Sequence, residues 1–245
     1  MKRKADYGVD AGYAMPIAGV ACVALLILAI TLRMRVQLVA VSVALGFIAT
    51  GLHTSRRGKF LVWEELLDGL QLRGDERVLD LGCGRGAVLV AAAKRLPKGR
   101  GVGVDIWSRA DQSGNTVAAT RGNAEAEGVS ERVVPLTADM RSLPFAPNVF
   151  DVVVSSVAIH NIKGQHGRAK AIDEAVRVLR PGGRLLLADL AFTGAYSRRL
   201  VELGMAGVGR RSLGWRMWWS GPWRATYLVT ATKPEGSSAA PEGAR

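Results

Sequence analysis

A chain of 245 residues that is 49% hydrophobic and 22% charged can bury one sizeable core and is too apolar to be intrinsically disordered. Its formal charge of +12 admits an anionic partner, but the Arg and Lys flank apolar runs or lie scattered at Arg198, Arg199, Arg210, Arg211, Arg216 and Arg224. No zinc-ligand spacing or aromatic RNA-binding motif accompanies them, so an anionic lipid surface is expected and nucleic acid is not. The two cysteines, Cys22 in an apolar run and Cys83 in a glycine turn, imply no disulfide and fit a reducing compartment; no metal site is expected.

Residues 14–32 carry no charge, and after Arg33 and Arg35 a second uncharged run covers residues 36–52. A hydrocarbon core of about 30 Å takes about 20 helical residues, so the two runs predict a transmembrane helical hairpin within a membrane anchor over residues 1–55. A signal peptide would need a small-residue cleavage site after Leu32, where a second apolar run begins instead. A buried soluble hairpin would need a polar face, which neither run has. Lys2, Arg3 and Lys4 on one flank and Arg56, Arg57 and Lys59 on the other favour a cytoplasmic location for both ends, against the weaker pull of Arg33 and Arg35. The expectation is a multi-pass membrane protein with its main domain in the cytoplasm.

Residues 59–72 place Phe60, Trp63, Leu66, Leu67 and Leu70 at helical spacing, which predicts a core-packed helix ahead of an interfacial one. Short apolar runs then alternate with helical stretches. Strands are expected at 78–81, 101–106, 133–137, 150–155 and 184–190, helices at 88–96, 116–127, 169–179 and 196–203, and a last strand within 225–232. This alternation predicts an α/β fold built on a doubly wound sheet, which binds ligands at the carboxyl ends of its strands. Turns are expected at Pro97–Lys98–Gly99 and Pro181–Gly182–Gly183, and residues 235–245 read as a disordered tail.

The first strand runs into a glycine-dense turn, VLDLGCGRGA from Val78 to Ala87, and the next ends in Asp105. Glycines there let a ligand lie against the backbone, and Asp105 can accept hydrogen bonds from two ribose hydroxyls. Gly82-x-Gly84-x-x-Ala87 also satisfies a dinucleotide spacing, so NAD stays open on spacing alone. Asp80, two residues before the first glycine, suits a cationic ligand better than a pyrophosphate.

Together with DLGCGRG, the motifs VGVDIW, TADMRSLPF, FDVVVSSVAIHNI and EAVRVLRPGGRLLLADL follow in order. On these the chain resembles the class I S-adenosylmethionine-dependent methyltransferases, of the small-molecule or quinone type, over roughly residues 56–234. The resemblance implies a Rossmann-like seven-stranded sheet with an antiparallel last strand and S-adenosylmethionine as cofactor. It assigns Asp80, Gly82 and Gly84 to the methionine portion, Asp105 to the ribose, and Asp139 with Met140 to the adenine, with Ile106 and Trp107 either against the adenine face or as a generic apolar wall. Cys83 and Ser155 join the same cofactor-binding set. Asp139 as a turn cap is the plainer alternative.

A sulfonium is already a good leaving group, so the protein's task is alignment and exclusion of water, with a base only for a protonated nucleophile. His160, just beyond the fourth strand, is the candidate base; its rival role is to hold the loop or touch the cofactor. His166 and His53 are weaker choices. The sequence SSVA stands where amino-DNA methyltransferases carry Asn or Asp, two prolines and an aromatic, which argues against base methylation. Residues 213–223, with Trp215, Trp218, Trp219 and Trp223, suit either a bilayer interface beside an apolar pocket or strand core plus turn. Residues 111–120 form a polar helix entrance, either a cofactor or substrate contact or, more simply, a helix start capped by Ser113. The expected function is a membrane-anchored methyltransferase acting on a small lipophilic acceptor. The alternatives are a tethered enzyme for a soluble metabolite and a non-catalytic cofactor-binding membrane protein.

Overall fold

The computed structural model describes residues 5–8, 14–32, 35–108 and 112–236. Lys2 to Lys4, Arg33, Asp111 and residues 237–245 of the expected tail lie outside the described residues.

Two apolar helices come first, α1 (Ala14–Thr31) and α2 (Arg35–His53), and Gly19 of one approaches Ile48 of the other. From α2 the chain continues without a break through a π-helical turn, Thr54–Gly58, into α3 (Lys59–Gly69). The expected pair of membrane spans is not found. Among the described residues one helix is long and apolar enough to cross a bilayer, Val36–Gly69, and almost none of its apolar part is buried. Among the described residues the other apolar stretch, Ile17–Thr31, does not meet the length and composition of a span. Without a second span, the two basic flanks no longer share one side, and the cytoplasmic placement loses its basis.

Strands β1 (Arg77–Leu81), β2 (Arg100–Asp105), β3 (Val133–Thr137), β4 (Phe150–Ser156) and β5 (Leu179–Asp189) pair in parallel. β1, β2 and β4 are apolar and buried along nearly their whole length, as befits strands covered on both faces. Helices α4 (Ala87–Ala93), α5 (Val117–Ala126), α6 (Gln165–Val178) and α7 (Thr193–Glu202) connect them. β7 (Tyr227–Thr232) inserts antiparallel between β5 and β6 (Ala206–Ser212), giving the seven-stranded order β3-β2-β1-β4-β5-β7-β6. This is the expected Rossmann-like sheet with an antiparallel last strand. Strand order reverses between β1 and β4, so a crevice is expected at their carboxyl ends.

Alternation along each strand divides the core. Val78, Val152, Val154 and Leu186 face α3 and α4, where Trp63, Leu67 and Leu96 meet them. Leu79, Leu81, Val153 and Leu185 face the other way, towards Ile172 of α6 and Leu200 of α7. α3 runs from the carboxyl edge of the sheet, where Trp63 Nε1 donates to Ser156 Oγ at 2.8 Å, to the amino edge, where Arg184 donates to the Leu70 carbonyl.

Three local expectations are corrected. β6 was not expected, because AGVGRRS has glycines and arginines where a strand usually has β-branched residues; it survives as a largely exposed edge strand. The Pro181–Gly183 turn lies inside β5, as an irregularity in its pairing with β4, with Gly182 at φ +72°. The cap of α5 is Thr116, which accepts from the Ala119 amide at 3.1 Å, and Ser113 uses its carbonyl to hold Arg85 Nη1 at 3.1 Å.

Gly58 sits where the π turn meets residues 215–217, and a Cβ there would come within 1.9 Å of the Arg216 carbonyl oxygen. Backbone cannot yield as a side-chain end does. We expect Gly58→Ala to lower the unfolding temperature of the detergent-solubilised protein by an amount corresponding to about 1–3 kcal/mol, with Gly69→Ala, which meets nothing within 4 Å, as the neutral control.

Candidate active site

The glycine turn after β1 is tight and internally satisfied. Gly82, Gly84 and Gly86 all have positive φ, and a Cβ on Gly82 would strike Ala158 Cβ at 2.3 Å while one on Gly84 would strike Gln112 Oε1 at 2.5 Å. All five amides of residues 82–86 are spent within the chain. Gly82 and Cys83 donate to the Val104 carbonyl, Gly86 to the Cys83 carbonyl, Gly84 to Asp105 Oδ2 and Arg85 to Gln112 Oε1. A pyrophosphate needs such amides free. The dinucleotide alternative therefore loses its anchor.

The charge in the site points the same way. Asp80, 1% exposed, has neither carboxylate oxygen hydrogen-bonded. Burial, and then the neighbouring charge of Asp105, push its carboxyl up to about 7; the Leu89 amide, outside hydrogen-bond geometry, opposes this more weakly. Burial and the same two carboxylates push the Cys83 thiol well up, so it is an inert wall and no nucleophile. An orphaned, buried acidic group beside a second carboxylate fits a ligand that brings positive charge and N–H donors. S-adenosylmethionine, with its sulfonium and ammonium, meets that requirement.

Asp105 is held by its surroundings. Oδ1 accepts from the Trp107 amide at 2.6 Å and from Asn115 Nδ2 at 3.3 Å, while Oδ2 takes the Gly84 amide at 2.8 Å. Ile106 beside it is 67% exposed. Trp107, at φ +61°, anchors its indole N–H on Thr137 Oγ1 at 2.7 Å. Met140 packs towards Gly82. Asp139 is gripped by Arg141, whose Nε lies 2.9 and 3.0 Å from its two oxygens; this contact holds the carboxyl below the usual range, and an adenine amino group would have to share it. Ser155 donates its hydroxyl to the Leu81 carbonyl at 2.8 Å, joining the ends of β1 and β4. Asp80, Gly82, Cys83, Gly84, Asp105, Ile106, Asp139, Met140 and Ser155 thus lie at or near the carboxyl ends of β1 to β4 or in the loops that leave them.

His160 follows β4 in a 3₁₀ turn, Ile159–Asn161. Its Nδ1 lies 2.6 Å from Asp189 Oδ1, close but off the line of the N–H, so no well-formed hydrogen bond is made. Asp189, 2% exposed at the end of β5, is fixed by the His160 and Leu190 amides at 3.0 and 2.8 Å and by the Tyr196 hydroxyl at 3.2 Å. Sequence reasoning missed Asp189 and Tyr196. The ADL ending of an apolar run, a carboxylate where a strand stops, was the available signal. Nearby, the Arg168 guanidinium stacks 3.6 Å from the Phe192 ring centroid, and Phe192 is half exposed with φ +61°. Val157, between Ser155 and His160, also has φ +55°, a strained conformation for a β-branched residue.

A second unforeseen element is the segment 5–8, which straps the glycine turn. Asp6 pairs with Arg85 at 2.8 Å, exchanges hydrogen bonds with Asn123 at 3.0 and 2.8 Å, and Gln112 Nε2 donates to the Tyr7 carbonyl at 3.3 Å. Tyr7 is buried against Phe60 at 5.1 Å between ring centroids. Hence Gln112, which fills the space over Gly84, is itself held by the strap.

Comparison with known proteins agrees with this geometry. Residues 79–187 match the family model described as a methyltransferase domain. Over 135 residues the chain is 36% identical to a ubiquinone/menaquinone biosynthesis C-methyltransferase of Dinoroseobacter shibae, covering 55% of this chain and 50% of that protein. A methyltransferase of Streptomyces halstedii, GfsG, is 33% identical over 131 residues, 54% of this chain and 44% of the other. The chain thus spans about half the length of the curated relatives it matches. Among solved structures, geranyl diphosphate methyltransferase in complex with S-adenosylmethionine superposes with a TM-score of 0.58 at 16% identity, over 74% of this chain and 87% of that one. The [4+2]-cyclase SpnF gives 0.58 at 21%, over 71% and 82%. These likenesses establish the fold.

The buried Asp80 carboxyl makes a signed prediction. It titrates at about 3.9 when unfolded and at about 7 when folded, so the unfolded chain gives up its proton first and stability falls as pH rises from about 4 to about 7. Asp80→Asn removes that penalty. Without ligand the variant should gain thermal stability relative to the parent as pH is raised from about 4 to about 8, and a gap between the two melting curves that stays constant with pH would refute the assignment.

Proposed function

We propose that this chain, which carries a class I S-adenosylmethionine-dependent methyltransferase domain, transfers the cofactor's methyl group to a small lipophilic acceptor of the quinone type. The observation that carries the reading is the unpaired, buried Asp80 beside Asp105 under a glycine turn whose amides are all used. That arrangement welcomes a cationic nucleoside-bearing ligand and offers no free turn amide to a pyrophosphate.

In this reading Asp80 faces the methionine ammonium, and Gly82, Cys83 and Gly84 supply the backbone wall beside it. Asp105 takes the ribose hydroxyls while keeping its two backbone amides. Ile106 and Met140 flank the adenine, and Asp139 accepts from its amino group. Ser155 keeps the β1 and β4 ends together beneath the reacting centre. When bound, S-adenosylmethionine supplies a methyl group on a good leaving group. The protein then has to align an acceptor, exclude water and, where the acceptor atom arrives protonated, take its proton. His160 is placed for that. Even without a well-aligned hydrogen bond, the carboxylate charge 2.6 Å from Nδ1 disfavours a bare lone pair there and favours the tautomer with its hydrogen on Nδ1, which leaves Nε2 as the proton acceptor.

The lipophilic acceptor is supported by the activities of the relatives, C-methylation in ubiquinone and menaquinone biosynthesis and methylation of geranyl diphosphate. It is supported also by the apolar Val36–Gly69 helix, which in this reading enters a lipid bilayer as one span.

Incubating the detergent-solubilised full chain with methyl-labelled S-adenosylmethionine and a total cell extract tests the reaction. Label should partition into organic solvent; label confined to water-soluble or polymeric material would overturn the acceptor class, and binding without transfer would overturn catalysis. Asp105→Asn should weaken cofactor binding by about 1.5–3 kcal/mol, measured by calorimetry, while the far-ultraviolet spectrum is unchanged. Once label is found in an acceptor, His160→Gln should lower kcat by about 10²-fold or more with little change in cofactor affinity.

A further inference from the structure

The tryptophan-rich segment between β6 and β7 divides into two kinds of residue. Trp219 is 7% exposed and donates to Thr226 Oγ1 at 3.0 Å, and Met217 is fully buried; these close the turn onto the core. Trp215 and Trp223 are 61% and 62% exposed. Each nevertheless touches the long helix, Trp215 stacking on His53 at 5.1 Å and Trp223 meeting Phe47 edge-on at 4.5 Å. The Thr54 hydroxyl donates to the Trp218 carbonyl, so the segment is bolted to the helix at the π turn. Phe47 and His53 are about 9 Å apart along the helix axis, close to the depth of one headgroup layer, about 5–8 Å.

No Asp or Glu occurs in residues 35–63 or in residues 203–234, while Arg56, Arg57, Arg211 and Arg224 are exposed. The charge within these two stretches has one sign, although Glu65 of α3 meets Arg216 beside them at 2.6 Å. Tryptophan at the boundary of an apolar helix with arginine beside it is the pattern of an anchor at the surface of an anionic bilayer.

The topology fixes what that anchor presents. β6 runs parallel to β5, since both pair antiparallel with β7, so the segment after β6 emerges at the carboxyl edge of the sheet. α3 begins at that same edge, with Trp63 bonded to Ser156, and the helix between His53 and Trp63 rises about 15 Å. We propose that Trp215 and Trp223 seat in the headgroup layer of an anionic bilayer entered by residues 36–53. The carboxyl edge of the sheet, with the glycine turn and His160, then faces the membrane at a stand-off of about 15 Å. This rests on the reading of Val36–Gly69 as membrane-inserted and goes beyond it, because insertion alone leaves the orientation of the domain open.

Full-length protein reconstituted into vesicles of phosphatidylcholine and phosphatidylglycerol, with acyl chains brominated either near the headgroup or near the tail end, tests the insertion and the seating from which that orientation follows. The protein should float with the vesicles after an alkaline wash, and shallow bromine should quench its tryptophan emission more than deep bromine. The double variant Trp215→Phe, Trp223→Phe should lose most of that quenching, whereas Trp107→Phe should keep it. Flotation with quenching equal in both lipids, or untouched by the double variant, overturns the seating and leaves helix insertion standing. Failure to float overturns both. The comparison of shallow with deep lipid uses the unaltered protein, so the proposal remains testable even where the double variant does not fold.

Discussion

The carboxylate of Asp105 is bonded to two different loops. One oxygen takes the Gly84 amide from the turn after β1, the other takes the Trp107 amide from its own loop, and the Asp105 carbonyl accepts from Ala138 after β3 at 3.2 Å. Three neighbouring strand ends are therefore tied through one residue. Into that bundle the fold inserts a second acid, Asp80, with no partner. Burial first, and then repulsion from the Asp105 carboxylate, raise the proton affinity of the acid without hydrogen bonds. The architecture concentrates negative potential where a positively charged ligand is to lie.

Much of this was legible in the sequence because it rests on local rules. β1 to β5 are apolar runs closed by turn residues, and the order of motifs along them places the glycine turn, Asp105 and His160 on one edge. What escaped notice depends on contacts between distant positions. Asp6 meets Arg85 and Asn123, and Asp189 meets His160 and Tyr196; none of these pairs leaves a periodic trace. β6 escaped because Gly207, Gly209, Arg210 and Arg211 deny it the composition of a strand, and pairing with β7 supplies what propensity does not. The two-span reading is not borne out because, among the described residues, a single helix, Val36–Gly69, is long and apolar enough to cross a bilayer.

The same sheet supports more than one chemistry, as its likeness to both a methyltransferase and a cyclase makes plain, so the site and not the fold must carry the functional argument. The carboxyl ends of β4 and β5 are where this chain has most to say. Asp189 is over-determined by three donors, and a histidine is laid against it. Val157 and Phe192 hold unfavourable backbone angles on either side. Strain of this kind persists only where surrounding contacts enforce it, and here it brackets the histidine laid against Asp189.

The unbroken passage of α2 through the π turn into α3 has a kinetic meaning. A flexible linker would let the domain tumble and sample acceptors from every direction in solution. In the proposed reading, a stiff helix that shares its length between lipid and protein core would remove that freedom, and encounter would become a search in two dimensions. Turnover would then follow the number of acceptor molecules per unit of membrane area, and diluting the membrane with inert lipid would slow the enzyme even at a fixed bulk concentration of acceptor.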